Sequence, residues 1–391
     1  MNDSHIKLKR IFSVYLIVLL LISGCANQKE KTKREPEESN YEVQYYNEEK
    51  DIEVKELASI KNLPSEIRDR FSVTSSYNKI YLYEYVRKDD MDRINAIYSC
   101  DINDDVTTKV KSFDDKFVVS FTEFNDSFVY AYLNGNKLKI VQDKNGQLKT
   151  LTEANVYNRF NFVPQFFVNG DQLLFILTDT EIEKDESKAH IYQKFISLKD
   201  DNLDTLYETE FLVENNIAEP GANQIISNGL QIQGDGKMMF QVRNEKNSVL
   251  FKYENEKLIQ QTIDNPNYTL IGYLNDNVIF FDQGDEKHLI YNLDTGKTKD
   301  INFSGAMYYA KIYNNTVMFF NDEKNRLWAL YLKDNGDYSL IDIDKKIYDE
   351  LNIVNTEGRT NFVFSDGSNL LLTLSNPEEV PYYSFYSIKL F

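Results

Sequence analysis

A chain of 391 residues with 42% hydrophobic and 14% aromatic content has ample material for a packed core, which excludes wholesale disorder. Its formal net charge of -18 argues against nucleic acid or an anionic lipid surface as partner, because both would repel it, and it also serves plain solubility. Length leaves the domain count open, since the same number of residues fits two or three ordinary domains or one large repeat domain.

The first 24 residues read as a leader. Lys7, Lys9 and Arg10 precede an apolar run from Ile11 to Ile22, and Ile22-Ser23-Gly24-Cys25 places small residues before a cysteine. The run is roughly 12 residues, short of the ~20 that a helix needs to cross a bilayer. These three regions resemble a bacterial lipoprotein signal with its lipobox. The resemblance implies removal of residues 1–24, a diacylglyceryl group on Cys25 and a lipid-anchored protein on the extracytoplasmic side of the cell membrane. An uncleaved anchor or an ordinary secretory signal is the alternative. Residues 26–40 mix Lys, Arg and Glu without apolar periodicity and read as a flexible tether. Removing the leader, whose net charge is +2, takes the chain from -18 to -20. Apart from Cys25 the one cysteine is Cys100, which has no disulfide partner and reads as a small buried hydrophobe.

From residue 41 onward the pattern is that of strands. Tyr41 to Tyr46 and Asp51 to Leu57 come first, the second with period-two alternation, and Ser59 to Arg70, with Pro64, reads as an irregular or briefly helical connection. The clearest unit is Tyr268 to Ile301, with strands at Thr269–Tyr273, Val278–Phe281, Leu289–Leu293 and Lys297–Ile301 separated by Asn-, Asp- and Gly-rich turns. Its second strand recurs as an apolar run at Ile80–Tyr83, Phe128–Tyr132, Leu173–Leu177, Met238–Val242, Val317–Phe320 and Leu370–Leu374, each after a tight-turn cluster. The mean spacing is roughly 48 residues. Third strands are expected at 94–100, 137–141, 190–198, 249–253, 289–293, 327–332 and 383–390, and fourth strands near 107–110, 148–151, 204–208, 258–263, 297–301 and 338–343.

A four-stranded unit repeated at this period resembles a β-propeller blade. The expected architecture is therefore an all-β domain over 41–391 with seven four-stranded blades. The last unit lacks a fourth strand, and the resemblance implies that Asp51–Leu57 supplies it beside Tyr383–Leu390 and closes the ring. Six- and eight-bladed rings remain open alternatives, because the units over Phe160–Phe211 and Gln224–Ile263 are irregular.

In propellers the turns between first and second and between third and fourth strands share one face. Here that face carries tight turns such as Asn145-Gly146, leaving little room for a site. The opposite face receives longer pieces, among them Arg87–Arg93, Asp179–Ala189 and Leu212–Asn223, where variable loops usually carry function. Asp89, Asp90, Asp92, Glu181, Glu183, Asp185 and Glu186 cluster there and form a candidate surface for a cationic partner. They also read as a solvated rim. Arg70, Arg159 and Arg359 each stand just before an expected first strand (Phe71, Phe160 and Thr360). Equivalent positions would converge at the channel mouth as guanidinium forks for a carboxylate or phosphate, or else bridge neighbouring blades to carboxylates.

No metal and no cofactor is expected. His190 and His288 open third strands without a second ligand at metal spacing, and read as structural or exposed. No Gly-x-Ser-x-Gly elbow occurs. The functional expectation is a membrane-anchored binding or scaffold module engaging a protein or an envelope polymer. The alternative is a propeller-type hydrolase or lyase acting on extracellular glycan or peptide.

Overall fold

A computed structural model describes residues 52–60, 71–73, 79–88, 91–101, 106–113, 116–156, 163–183, 188–215, 217–232, 237–303, 305–333, 336–344, 360–365, 370–375 and 383–390. Cys25, residues 26–40 and all three candidate arginines lie outside the described residues, as do Asp89, Asp90, Asp185 and Glu186. Among those described, the chain is all-β.

After β1 (Ile52–Ile60), it runs through consecutive antiparallel meanders. The first comprises β2 (Phe71–Val73), β3 (Lys79–Lys88), β4 (Met91–Asp101) and β5 (Val106–Ser112); the second, β6 (Phe117–Phe124), β7 (Ser127–Asn134), β8 (Lys137–Lys144) and β9 (Gln147–Asn155). A single pairing, Ile94 with Val118, joins these two into one eight-stranded sheet. The third comprises β10 (Phe166–Asn169), β11 (Gln172–Ile182), β12 (Lys188–Lys199), β13 (Asn202–Glu214) and a short fifth strand, β14 (Ile217–Ala218). The fourth is β15 (Gln224–Ile232), β16 (Met238–Arg243), β17 (Ser248–Glu254) and β18 (Lys257–Ile263). The fifth is β19 (Tyr268–Leu274), β20 (Asn277–Asp282), β21 (Lys287–Asn292) and β22 (Thr298–Ile301). The sixth is β23 (Tyr308–Tyr313), β24 (Val317–Asn321), β25 (Leu327–Leu332) and β26 (Tyr338–Asp342). Finally β27 (Thr360–Ser365), β28 (Leu370–Ser375) and β29 (Tyr383–Leu390) pair in order, and β1 joins them antiparallel along β29, with Ile52 opposite Leu390.

Successive meanders stack face to face, and their side chains form the core. One cluster joins Tyr81 and Ile97 of the first sheet to Phe121 and Tyr130 of the second. Another joins Val129 and Ile140 to Leu173 and Phe175, a third joins Leu174 and Phe195 to Phe240 and Phe251, and the series continues through Leu250 and Phe280 to Ile290, Phe320 and Trp328. A second strand therefore has neighbours on both faces, and β11, β16, β20 and β24 are buried almost throughout. Burial on both faces selects unbroken apolar runs over alternation. Fourth strands lie at the rim and are mostly exposed, with polar residues along β9, β18 and β22 that guard the edge.

Phe160–Phe162, expected as the first strand of the third sheet, and Arg159 before them lie outside the described residues, and the described strand there runs from Phe166. Pro164 lacks an N–H, and pairing starts beyond it. One expectation needs correction: the described residues of Arg87–Arg93 and Asp179–Ala189 belong mostly to paired strands, not to free loops. β3 runs on to Lys88, with Arg87 opposite Asp92, while β11 and β12 stay paired out to Ile182 and Ala189.

Candidate functional site

The third sheet carries a projecting arm. β11, β12 and β13 hold 11, 12 and 13 residues, against 6, 7 and 7 for β16, β17 and β18. The extra residues extend the hairpin by about 15–20 Å at strand rise. Alternation gives the arm two unlike faces. One packs Ala189, Ile191, Phe211 and Val213 around Ala222, with Ala218 of β14 against them. The other bears Asp179, Glu181 and Glu183 from one side and Glu208, Glu210 and Glu214 from β13, with Lys188, His190, Tyr192 and Lys194 of β12 between them.

Most of these carboxylates are engaged. His190 places Nδ1 3.0 Å from Glu210 and Nε2 3.6 Å from Glu183. Lys194 lies 3.2 Å from Glu208 and Lys188 3.9 Å from Glu214. Asp179 accepts the Asn155 backbone N–H at 2.7 Å. Glu181 is exposed, and no ion pair to it occurs among the described residues. Desolvation, then the charges of Glu210, Glu181 and Asp179, raise the pKa of the Tyr192 phenol. Of the seven acidic residues singled out in the sequence, Glu181 and Glu183 lie on this face and Asp92 lies in β4 of another sheet.

Other acids at the hairpins between second and third strands build turns. Asp282 Oδ1 accepts the Gly284 N–H at 2.9 Å. Asp322 accepts the N–H groups of Lys324 and Arg326 at 2.8 and 2.9 Å, Arg326 Nε at 2.7 Å and Trp328 Nε1 at 3.2 Å. Burial alone would raise the Asp322 pKa, but these donors outweigh it and the carboxyl titrates below its ordinary value. Asn244 forms the same kind of turn, accepting from Lys246 and Asn247. A polar residue at the end of a second strand, followed by a short turn, was the signal for this role.

No family model matches the sequence, and no curated protein does. Solved structures do resemble it in fold. A Mycobacterium tuberculosis puromycin-hydrolysing peptidase aligns with 85% of this chain and 56% of its own at a TM-score of 0.50 and 8% identity. An acylaminoacyl peptidase from Pyrococcus horikoshii aligns with 80% of this chain and 50% of its own, at 0.48 and 11%. The Dos1 propeller aligns with 85% of this chain and 95% of its own, at 0.44 and 10%. This chain spans about half the length of the two peptidase structures. The serial four-stranded meanders and the fold likeness support a β-propeller.

The face of tight turns is less barren than expected. A cleft of about 200 Å³ opens between β5, the β6–β7 turn and the β8–β9 turn, lined by Val110, Lys111, Glu123, Asp126, Phe128 and Asp143 among others. At its floor Asp143, 3% exposed, pairs with Lys111 through Oδ2 and accepts the Gly146 N–H at 2.9 Å through Oδ1. Glu123 accepts the Tyr81 hydroxyl at 2.9 Å. Burial, then the charge of Glu123, raises the Tyr81 pKa, so this phenol stays a donor. The residues of this cleft come from two meanders, a juxtaposition no periodicity announces.

Proposed function

We propose that this protein is a lipid-anchored, extracytoplasmic binding module. It is held at the membrane by an acylated Cys25 and engages a basic protein or envelope-polymer surface through the acidic face of the β11–β13 arm. Its body is a seven-bladed propeller, each meander one blade, with β1 completing the last. The pairing of β1 with β29 and the stacking of successive meanders support that count.

The observation that carries the binding reading is the two-faced arm: its own apolar cluster braces it from behind, while its charged face is turned to solvent. Such a surface attracts cationic partners over a distance and orients them on arrival. Crosslinking in cells followed by affinity capture tests it, comparing the native protein with a variant in which Glu181, Glu183, Glu208 and Glu210 are all Gln. A basic partner retained by the native protein and lost by the variant is expected, and equal recovery from both refutes the arm as the surface. For the anchor, Cys25→Ala is expected to abolish fatty-acid labelling and release the protein from the membrane fraction.

A further inference from the structure

We propose that the cleft between β5 and the β6–β7 and β8–β9 turns is a binding site for an alkylammonium or guanidinium group. Its natural source would be a lysine or arginine side chain of another polypeptide. The site lies at the end of the sheets opposite the β11–β12 hairpin, and the proposal does not depend on the arm.

Charge complementarity leads the argument. Asp143 is neutralised by Lys111. Glu123 is hydrogen-bonded by a neutral phenol, and neither it nor Asp126 has an ion-pair partner among the described residues. Two negative charges therefore face a small cleft in a chain whose net charge is already -18, which raises the local concentration of cations.

Shape and rigidity point the same way. A volume of about 200 Å³ has room for one long side chain, not for a folded surface or a polymer. The Phe128 ring and Val110 supply an apolar wall for an aliphatic stem, and Phe128 is itself packed against Phe121 and Tyr81 at 5.3 and 6.1 Å. The carboxylates are fixed in advance. Asn125 and Asp126 adopt left-handed φ values of 49° and 54° in a two-residue turn, pinning Asp126 at the rim. Ser127 donates to the Phe124 carbonyl at 2.5 Å and accepts from Gln142 at 2.9 Å, which ties that turn to β8. Tyr81 holds Glu123 from the neighbouring meander. A cation entering here gains charge-assisted hydrogen bonds without ordering the site.

The test is calorimetric titration of the full protein with acetyl-arginine amide, acetyl-lysine amide, the neutral acetyl-norleucine amide and putrescine. The two cationic amides are expected to bind and the norleucine amide to fail. Glu123→Gln, which keeps an acceptor for Tyr81, and Asp126→Asn, which tolerates the left-handed turn, are each expected to weaken binding about tenfold, as loss of one charged hydrogen bond implies. Glu286→Gln, on an exposed turn of the fifth meander, should change nothing. Tighter binding of putrescine than of either amide would support the site and assign its source to a free diamine. Absence of binding by the cations, equal binding of norleucine amide, or unchanged affinity in both cleft variants at native melting temperature would overturn the proposal.

Discussion

Acid stability should turn on one histidine. His288 in β21 is 1% exposed, its ring lies 5.1 Å from Phe281 and 6.1 Å from Phe303, and its Nδ1 is buried without a partner. Burial drives its pKa down from 6.5 to about 4, only partly opposed by a hydrogen bond to the Phe303 backbone. Between pH 6.5 and about 4 the folded protein thus binds fewer protons than the unfolded chain, so stability rises with pH across that window and is lost as pH falls through it. The full shift corresponds to about 3 kcal/mol, of which about 2 kcal/mol is lost between pH 8 and pH 5. Urea unfolding at these two pH values should show that loss in the native protein. His288→Gln, which retains a donor for the Phe303 carbonyl, should lack it whatever its absolute stability, since both proteins share every other titrating group. An equal pH dependence in the two proteins would refute the reasoning.

Gly272 sits at a bulge in β19, where an added Cβ would stand 2.4 Å from Met318 Sδ of the next sheet. Gly272→Ala is therefore expected to cost about 1–3 kcal/mol by overpacking, measured by denaturant unfolding. Asp322→Ala strips the acceptor from two backbone N–H groups, a guanidinium and the Trp328 indole, and should cost about 2–3 kcal/mol with a shift in tryptophan fluorescence. Lys311 on β23 is solvent-accessible, yet protein surrounds it at longer range and the resulting desolvation lowers its pKa. Brief acetylation near neutral pH, read by mass spectrometry, should modify Lys311 ahead of Lys199, whose pKa is raised by its hydrogen bonds to Glu256 and Asp171. Phe240, fully buried and stacked on Phe251 at 5.0 Å, should cost about 3–5 kcal/mol when changed to Ala.

The second strands were legible because burial on both faces writes them as unbroken apolar runs such as Leu173–Leu177. The third and fourth followed from turn chemistry and spacing. The arm was misread as a loop because its charges look like loop composition, although Thr178, Thr180 and Ile182 alternate with Asp179 and Glu181 in strand period. The buried state of His288 was not readable, since one polar residue opening a strand does not say which face it takes. The cleft depends on how β5 meets the β6–β7 and β8–β9 turns, a relation between separate meanders that leaves no local signature.

The pairing of β1 with β29 joins Ile52 to Leu390, partners 338 residues apart in sequence (390 less 52). As the chain folds, β1 must wait for residues 383–390 before it can make this pairing. Closing so long a loop costs about 3 kcal/mol more than closing one of ~12 residues, so this contact is expected to form after the intervening sheets have shortened the path. During that delay β1 is an unpaired edge, open to pairing with another copy. In refolding from urea, amide protection of β1 and β29 is expected to appear after that of β16 and β20, and simultaneous protection of all four would refute this order.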